Sequence, residues 1–277
     1  MTALVIGASG QIGRCLLPRL DAAGYHWIAL SRRPPVGDVR WLQGGLPDRM
    51  PALPRVSAVV SLGPLDHLAA WLATQRLAGT PHVIATSSMS AETKRESDVP
   101  DERDVSRRLR DAETTLIATC ASRGMPWTLF RPTLVYGLGI DKSLTPIVHA
   151  ARRRHVFPLP AGRGLRQPVH ADDIAHAVVA ALGSARSYGH VFPIGGGERM
   201  SAADMFRRVR RSLDAPTLPA PIPRFALDLA ALVSRRLRGP LRRLDSDLIA
   251  DNRDLEALLD VHPRPFRPDA STWTPPR

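Results

Sequence analysis

The chain has 277 residues, 44% of them hydrophobic, which is enough to bury a large core in one large domain or two unequal ones. No apolar run approaches the roughly 18–20 residues that span a bilayer, and no basic-then-apolar leader pattern is present, so we expect a cytoplasmic protein. The net charge of +12 is compatible with nucleic acid. However, 36 of the 38 basic residues are arginine, spread over many segments without a nucleic-acid motif, so no nucleic-acid partner is expected.

The first predicted element is a buried parallel strand at residues 4–6, followed directly by a glycine-rich stretch. The periodic Ile12, Leu16 and Leu20 predict a helix immediately after it. Glycines at such a turn let the backbone approach a pyrophosphate, whose charge the N–H groups of the helix N-terminus bind. We therefore predict a dinucleotide site, with a purely structural tight turn as the alternative. The predicted contacts are Gly7, Ser9, Gly10, Gln11, Ile12 and Gly13.

Strands and helices alternate as far as residue 130, which predicts an α/β fold with a Rossmann-like, doubly wound parallel sheet. The further predicted strands are residues 27–30, 39–42, 58–62, 82–86 and 127–130. Helices are predicted over 65–77 and from about 107 to 123, where apolar residues keep helical spacing. The polar stretch 92–105 is predicted to be an exposed loop.

After about residue 138 prolines become frequent and break the alternation into short elements, as expected of a smaller substrate-covering domain. A helix over 172–182 is the exception and is predicted to pack back on the main sheet. We therefore assign residues 1–137 plus 168–185 to a dinucleotide-binding domain. The smaller C-terminal domain takes residues 138–167 plus 186–277.

Five separated motifs occur in one order across roughly the first 200 residues. They are the glycine stretch 7–13, the Thr-Ser-Ser of 86–88, and segments 131–137, 166–175 and 195–201. In these motifs the chain resembles the extended and atypical short-chain dehydrogenases/reductases, which include nucleotide-sugar epimerases and dehydratases. The resemblance implies an NAD(P)-binding fold with ligand sites beyond the carboxyl ends of the strands. It also implies cofactor contacts from Leu62, Gly63, Thr86, Ser87 and Pro132.

One feature of that superfamily is missing. Its enzymes use a Tyr-x-x-x-Lys pair on the long central helix to exchange a proton with the substrate. Glu113 matches the acidic residue four places after that lysine, which puts Leu109 at the lysine position and Val105 at the tyrosine position. Neither side chain can donate a proton. Tyr136 and Lys94 are the candidate substitutes, with a packing tyrosine and a solvated loop lysine as the alternative interpretations.

The substrate contacts that the resemblance implies are Ser88 and Arg166. Ser88 matches the catalytic Ser/Thr that hydrogen-bonds the substrate oxygen, although it can equally satisfy backbone groups at the strand end. Arg166 matches an arginine that faces a diphosphate in nucleotide-sugar enzymes; the alternative is a local ion pair with Asp172 or Asp173. His170 is interpreted as a structural, hydrogen-bonded histidine.

The end of the second predicted strand indicates the type of cofactor. An NAD-selective site has an acidic residue there, whereas this chain has Arg32 and Arg33. Guanidinium groups suit the 2′-phosphate of NADP(H), which we therefore expect to be preferred, with NAD(H) possible. The alternative is two exposed arginines in an arginine-rich chain.

Two further features bear on partners. Cys15 and Cys120 are isolated, have no metal-binding spacing and are predicted to be small buried hydrophobes, so no metal site is expected. Residues 225–233 form an apolar helix leading into arginines at 235–243, a pattern that can contact an anionic membrane surface or simply cover a core.

These observations predict an NADP(H)-binding, atypical short-chain dehydrogenase/reductase-like protein. We expect an oxidoreductase or epimerase/dehydratase acting on a small carbonyl or sugar-type substrate. Loss of the tyrosine and lysine supports a second hypothesis, a non-enzymatic dinucleotide-binding sensor or assembly factor.

Overall fold

The computed structural model describes residues 1–233, 239, 241 and 243–275. Its strands, in chain order, are β1 (Thr2–Ile6), β2 (His26–Ser31), β3 (Trp41–Gln43), β4 (Ala58–Ser61), β5 (His82–Thr86), β6 (Trp127–Pro132), β7 (Val135–Tyr136), β8 (Val156–Pro160), β9 (Leu165–Arg166), β10 (Val169–His170), β11 (His190–Ile194), β12 (Met200–Ser201) and β13 (Leu218–Ile222). Its helices are α1 (Gln11–Ala22), α2 (Leu65–Thr74), α3 (Ser90–Thr93), α4 (Pro100–Ser122), α5 (Thr145–Arg154), α6 (Ala171–Leu182), α7 (Ala202–Arg211), α8 (Arg224–Val233) and α9 (Arg253–Leu259).

The central sheet has seven parallel strands in the order β11-β6-β5-β4-β1-β2-β3. Its middle strands are apolar at nearly every position because helices cover both faces. The strand order reverses between β1 and β4, where Ile6 lies opposite Ser61. Ligands bind doubly wound sheets at such a switch point, beyond the carboxyl ends of the strands. The doubly wound fold is thus confirmed.

Two apolar layers enclose the sheet. On one face α1, α6 and α9 contribute Leu16, Val178 and Leu255 to a common core. On the other face α2 and α4 contribute Leu68 and Leu116. Each of these side chains is fully or almost fully removed from water, which stabilises the layered packing by the hydrophobic effect.

The two thiols belong to these layers. Cys120 is buried between α4 and the sheet, and Cys15 is partly buried against the opposite core. Burial raises the pKa of each thiol to about 11, so both remain protonated at neutral pH. Within the described residues no group of three His, Cys, Asp or Glu side chains is placed to hold a metal ion.

A third apolar cluster forms the smaller part of the molecule and is built around Tyr136, Phe157, Phe206 and Trp273. Short pairs of strands surround it: β8 with β13, β7 with β10, and β9 with β12. The prediction that all residues from 186 onward belong to the smaller domain differs from this arrangement, because two later segments pack in the larger part. His190–Ile194 is the outer strand of the main sheet, and Arg253–Leu259 packs in the α1–α6 core.

The predicted exposed loop at 92–105 is also wrong. Residues 90–93 form α3, and α4 begins at Pro100, seven residues before the predicted helix start. Proline in the first turn and the acidic Asp101 and Glu102 are favourable at a helix N-terminus, but the polar composition concealed the helix. The early start buries Ser106, whose Oγ donates to the carbonyl oxygen of Ala91 at 2.6 Å.

Candidate functional site

The β1–α1 turn is shaped by positions where no side chain fits. Gly7 has φ +82°, and a Cβ there would lie 3.1 Å from the carbonyl carbon of Leu62. A Cβ at Gly13 would lie 2.5 Å from the carbonyl oxygens of Gly7 and Ala8. The N–H of Gly10 donates to the carbonyl oxygen of Gly7 at 2.9 Å and closes the turn. The glycines therefore bring α1 into direct backbone contact with the end of β1.

The N-terminus of α1 is available to an anion. Gly10 is its N-cap, no side chain caps it, and its first turn contains no acidic residue. Such an end presents unpaired N–H groups and the positive end of the helix dipole. Together with the glycine cradle, this fits the pyrophosphate of a dinucleotide. Gln11, in contrast, uses its side-chain amide internally, donating to the carbonyl oxygen of Gly137 at 2.8 Å.

The other predicted cofactor residues follow the carboxyl ends of neighbouring strands. The N–H of Leu62 donates to the carbonyl oxygen of Ile6 at 2.9 Å, and that of Ser87 donates to the carbonyl oxygen of Phe130 at 2.7 Å. The structure thereby brings Gly63, Thr86 and Pro132 to the same edge as the glycine turn. Sequence motifs up to 125 residues apart meet along this edge because parallel strands end on one side.

Arg32 and Arg33 are exposed just after β2. The N–H of Arg33 donates to the Ser31 hydroxyl at 3.2 Å, which fixes the backbone but leaves the guanidinium unused. In the described part of the chain, neither guanidinium has a carboxylate partner. Two unpaired cations therefore stand where a dinucleotide's adenosine ribose lies in doubly wound folds.

Val105, Leu109 and Glu113 lie along one side of α4 at successive four-residue steps, and of the three only Glu113 is buried. Glu113 is buried, accepts from the Ser87 hydroxyl at 2.5 Å and receives two hydrogen bonds from Arg131, the one from Nε at 2.9 Å. These contacts fix α4 against β5 and β6 and set the direction of the whole face. Val105 is 38% exposed and Leu109 is half-buried. The assignment of these two residues to the tyrosine and lysine positions of the superfamily stays a prediction.

Ser88 follows the end of β5 and is half-buried. Its Oγ accepts from the N–H of Ser90 at 3.1 Å, which occupies the hydroxyl as an acceptor while leaving its hydrogen for donation. Ser90, two residues further on, lines a cavity of about 770 Å³, whereas Ser88 is not one of its lining residues. The catalytic role of Ser88 stays a prediction.

The cavity separates α3 and the start of α4 from the third apolar cluster. Leu134 and Phe206 give it apolar walls. Both lysines of the chain line it, Lys94 and Lys142. The interpretation of Lys94 as a solvated loop lysine is wrong: it ends α3, its side chain is only 16% exposed, and its Nζ lies 3.8 Å from Glu102 Oε1.

Arg166 also borders the cavity, but the predicted alternative of an ion pair with Asp172 or Asp173 is wrong. Its guanidinium donates to the backbone carbonyl oxygens of Leu165 at 2.8 Å, Ser246 at 2.6 Å and Arg243. Burial lowers the pKa of Arg166. The side chain therefore holds the segment 243–248 in place as one wall of the cavity, and its contact with substrate stays a prediction.

Asp172 and Asp173 instead join α1, α6 and the C-terminal segment. Arg19 donates to both oxygens of Asp172, from Nε at 2.6 Å and Nη2 at 2.8 Å. Arg264 bridges Asp172 and Asp173 at 2.6 and 2.8 Å. The hydrogen bonds from Arg19 and Arg264 hold the pKa of Asp172 at about 2.

Tyr136 and His170 form a packed pair, as their structural interpretations predict. Tyr136 is buried with its ring edge-on to His170 and Phe266, and burial raises the pKa of its hydroxyl above the ordinary value. His170 Nδ1 accepts from the N–H of Asp172 at 3.1 Å and caps α6. Because burial also lowers the pKa of His170, its neutral form is favoured.

Three features of this region are not predicted by the sequence analysis. The first is the ion pair between Arg131 and Glu113, for which there was a signal, because both residues lie at positions that match the superfamily. The lining position of Lys94 had one signal, the scarcity of lysine. Glu102 and Arg243, which share an ion pair at 3.0 Å beside Lys94, had none because they are 141 residues apart.

The predicted membrane-contacting helix is described only in part. Phe225 and Leu229 of α8 are 74% and 60% exposed, while the arginines at 235, 236, 238 and 242 lie outside the described residues. Among the described helices, none is both long and apolar enough to cross a bilayer.

Comparison with known proteins agrees with this geometry. A family model for the NAD dependent epimerase/dehydratase family matches residues 3–77 and 106–195, more than half of the chain. UDP-glucose 4-epimerase of Vibrio cholerae is 28% identical over 116 residues, which are 41% of this chain and only about a third (35%) of that protein.

Solved structures show the same fold along the whole chain. MoeE5 in complex with UDP-glucuronic acid and NAD is 20% identical with a TM-score of 0.71, covering 98% of this chain and 97% of that one. The epimerase Mth375 of Methanothermobacter thermautotrophicus is 16% identical with a TM-score of 0.72, covering 98% and 90%. With a glycine cradle at the switch point and the family model matching on both sides of it, the chain belongs to the NAD-dependent epimerase/dehydratase family.

Proposed function

We propose that this protein binds NADP(H) at the β1–α1 turn and acts as an oxidoreductase or epimerase/dehydratase on a small carbonyl or sugar-type substrate. The observation that carries the proposal is the uncapped N-terminus of α1 above a cradle that no Cβ could enter. A cavity lined by Ser90 and Leu134, which follow the carboxyl ends of β5 and β6, lies on the same side of the sheet. Bound nicotinamide would supply hydride transfer. NAD(H), which the solved relative MoeE5 holds, is the second possible cofactor.

The residues of the chain have separate roles in this proposal. The first-turn N–H groups of α1 bind the pyrophosphate, while Arg32 and Arg33 bind the 2′-phosphate by charge-assisted hydrogen bonds. Ser88 donates its hydroxyl hydrogen to the substrate oxygen. Leu134 and Phe206 exclude water from one side of the cavity.

A non-enzymatic dinucleotide sensor or assembly factor is the second candidate. It is favoured by Val105 and Leu109, which leave α4 without a proton donor. The two candidates differ in one observable: an enzyme turns over a carbonyl substrate and loses that turnover in Ser88→Ala, whereas a sensor binds the dinucleotide without turnover.

Calorimetric titration with NADPH and NADH tests the cofactor assignment. In Arg33→Ala we expect NADPH to bind about 10- to 150-fold more weakly, because one charge-assisted contact is worth roughly 1.5–3 kcal/mol, while NADH binding stays unchanged. Arg153→Ala, an exposed arginine of α5, is the matched control and should alter neither. Equal affinity for both dinucleotides, unaffected by Arg33→Ala, would exclude the NADP(H) preference. No binding of either would exclude the proposed function.

We also infer that the protein works in the cytoplasm, without nucleic acid, and that α8 contacts an anionic membrane surface. The inference of membrane contact rests on two exposed apolar residues of α8, Phe225 and Leu229, which precede the arginine-rich stretch. Sedimentation with anionic vesicles should pull down the wild type but not Phe225→Ser/Leu229→Ser. Equal sedimentation with neutral vesicles would contradict a role for the arginines.

A further inference from the structure

Lysine is rare in this chain, and both copies lie on one cavity. The sequence has 36 arginines for two lysines, Lys94 and Lys142, yet the two line the same space of about 770 Å³. Arginine stays protonated at every physiological pH, whereas a buried lysine amine can lose and regain a proton. The two lysine side chains, whose amines can lose and regain a proton as a guanidinium cannot, therefore both lie at this cavity.

The backbone of Lys94 is held firmly relative to the strand edge. The N–H of Met89 donates to the carbonyl oxygen of Pro132 at 3.0 Å, at the end of β6. Ala91 is fully buried, and its carbonyl oxygen accepts from Ser106 of α4. Since α3 follows β5 by a few residues, these contacts give Lys94 a fixed backbone position relative to the carboxyl ends of β5 and β6.

The amine of Lys94 is close to charges without being saturated by them. Its Nζ lies 3.8 Å from Glu102 Oε1, which is too long for a hydrogen bond. Glu102 is already engaged by Arg243 at 3.0 Å and by the Ser97 hydroxyl at 2.8 Å. The amine therefore has hydrogen-bonding capacity left for a group in the cavity.

Three other charged groups of the wall are occupied elsewhere: Arg166 donates to carbonyl oxygens, Asp247 accepts from the N–H of Leu165 at 2.7 Å, and Glu92 pairs with Arg131 at 2.8 Å. The charged lining residues Arg95, Glu96, Asp98 and Lys142 complete the wall, and Lys142 is exposed. Burial lowers the pKa of Lys94, and the charge of Arg243 lowers it further, against the opposing effect of Glu102. Both causes favour the neutral amine, which can act as a base.

We propose that Lys94 exchanges the proton with the substrate oxygen, in place of the tyrosine and lysine that α4 lacks. This inference rests on the proposed function. In the oxidative direction the O–H bond of a substrate alcohol breaks and its proton goes to the lone pair of Lys94 Nζ. The electron pair of the C–H bond leaves as hydride to an oxidised nicotinamide dinucleotide, and the C=O bond forms. The ammonium then releases its proton to water, and reduction runs the same steps in reverse.

The scarcity of lysine makes a direct test possible. Reductive ¹³C-methylation labels only Lys94, Lys142 and the α-amino group, so NMR resolves each amine, and the Lys142→Arg variant assigns the signals. We expect the Lys94 signal to titrate at lower pH in the folded protein than in urea. We further expect saturating NADP⁺ to lower its pKa again, because the oxidised ring carries a positive charge, and NADPH not to do so.

The outcomes separate this inference from the proposed function. Absence of dinucleotide binding by calorimetry would remove both. Binding of NADP⁺ with no change in the Lys94 titration would overturn the role of Lys94 alone.

Substitutions give a second test on a panel of small aldehydes and ketones with NADPH. We expect Lys94→Arg to lower kcat by about 100-fold or more with little change in KM or in NADPH affinity, as for loss of a general acid. Arg153→Lys, on the exposed side of α5 and not among the residues that line the cavity, is the control and should keep the wild-type kcat. Wild-type kcat in Lys94→Arg would overturn the inference, because a guanidinium cannot cycle a proton.

Discussion

The two sides of the cleft at the carboxyl edge are built in different ways. The β1–α1 turn is shaped by its backbone: there is no room for a side chain at Gly7 or Gly13, and the groups left free at the N-terminus of α1 are backbone N–H groups. The α4 side consists of side chains, with Glu113 anchoring the helix and the apolar Val105 and Leu109 one and two turns before it. Under the proposed function, dinucleotide binding would depend on local backbone geometry, whereas the chemistry would depend on individual side chains.

Breaking the anchor of the α4 side should have the largest effect. Glu113→Ala leaves Arg131 and Ser87 without their buried acceptor, and removing one partner of a buried ion pair costs about 3–5 kcal/mol. Urea unfolding measures the change. Glu92→Ala is the matched control, since Glu92 pairs with the same Arg131 at 2.8 Å from an exposed position and should change stability by about 1 kcal/mol or less. Equal losses in the two variants would contradict a special role for Glu113.

Filling the glycine cradle should have the next largest effect. In Gly13→Ala the new methyl group would lie 2.5 Å from three backbone atoms of the turn, so α1 must move away from β1. We expect a loss of about 2–3 kcal/mol, as for overpacked sites, together with loss of NADPH binding. Gly183→Ala provides the comparison, because its methyl group would meet only ordinary contacts at 3.6 Å or more and leave both properties intact. Retained NADPH binding in Gly13→Ala would show that the turn is merely structural.

Removing the ion pairs that Asp172 forms with Arg19 and Arg264 should lower the free energy of unfolding by a smaller, pH-dependent amount. The native pKa of Asp172 is about 2 against 3.8 for the free group, which corresponds to about 2 kcal/mol of stability. A depressed acid stabilises the fold above its unfolded pKa and loses this contribution as pH falls through the folded value. Asp172→Asn should therefore be less stable than wild type at pH 7, and the difference should shrink between pH 4 and pH 2.

Asp251 supplies the control for that titration. Its pKa is also about 2, because Arg253 donates to it, but the carboxylate is fully exposed and screened by solvent. Asp251→Asn should leave the unfolding midpoint unchanged at every pH. A loss as large as that of Asp172→Asn would mean that burial does not decide the effect.

The fold was predictable where local pattern and tertiary role coincide. The buried strands at residues 58–61 and 82–86 are mostly apolar in sequence, and the glycine stretch at 7–13 predicts the turn that follows β1. The start of α4 was missed because every residue from Asp101 to Ser106 except Val105 is polar, so no apolar period marks its first turns. The strand His190–Ile194 was assigned to the smaller domain because its place beside β6 depends on pairing with residues 62 positions earlier in the chain.

The glycine turn and the apolar strands could be predicted from the sequence, because each depends on residues within a few positions of one another. The alternation of strands and helices along the chain predicted a parallel sheet. The partners and the burial of the charged side chains became visible only in the tertiary structure. It placed Arg166 on carbonyl oxygens rather than on Asp172, and it buried Lys94 beside Glu102 and Arg243. The reason is physical: backbone geometry is set by neighbours in the chain, whereas the partner and burial of a long side chain are set by segments that meet only when the chain has folded.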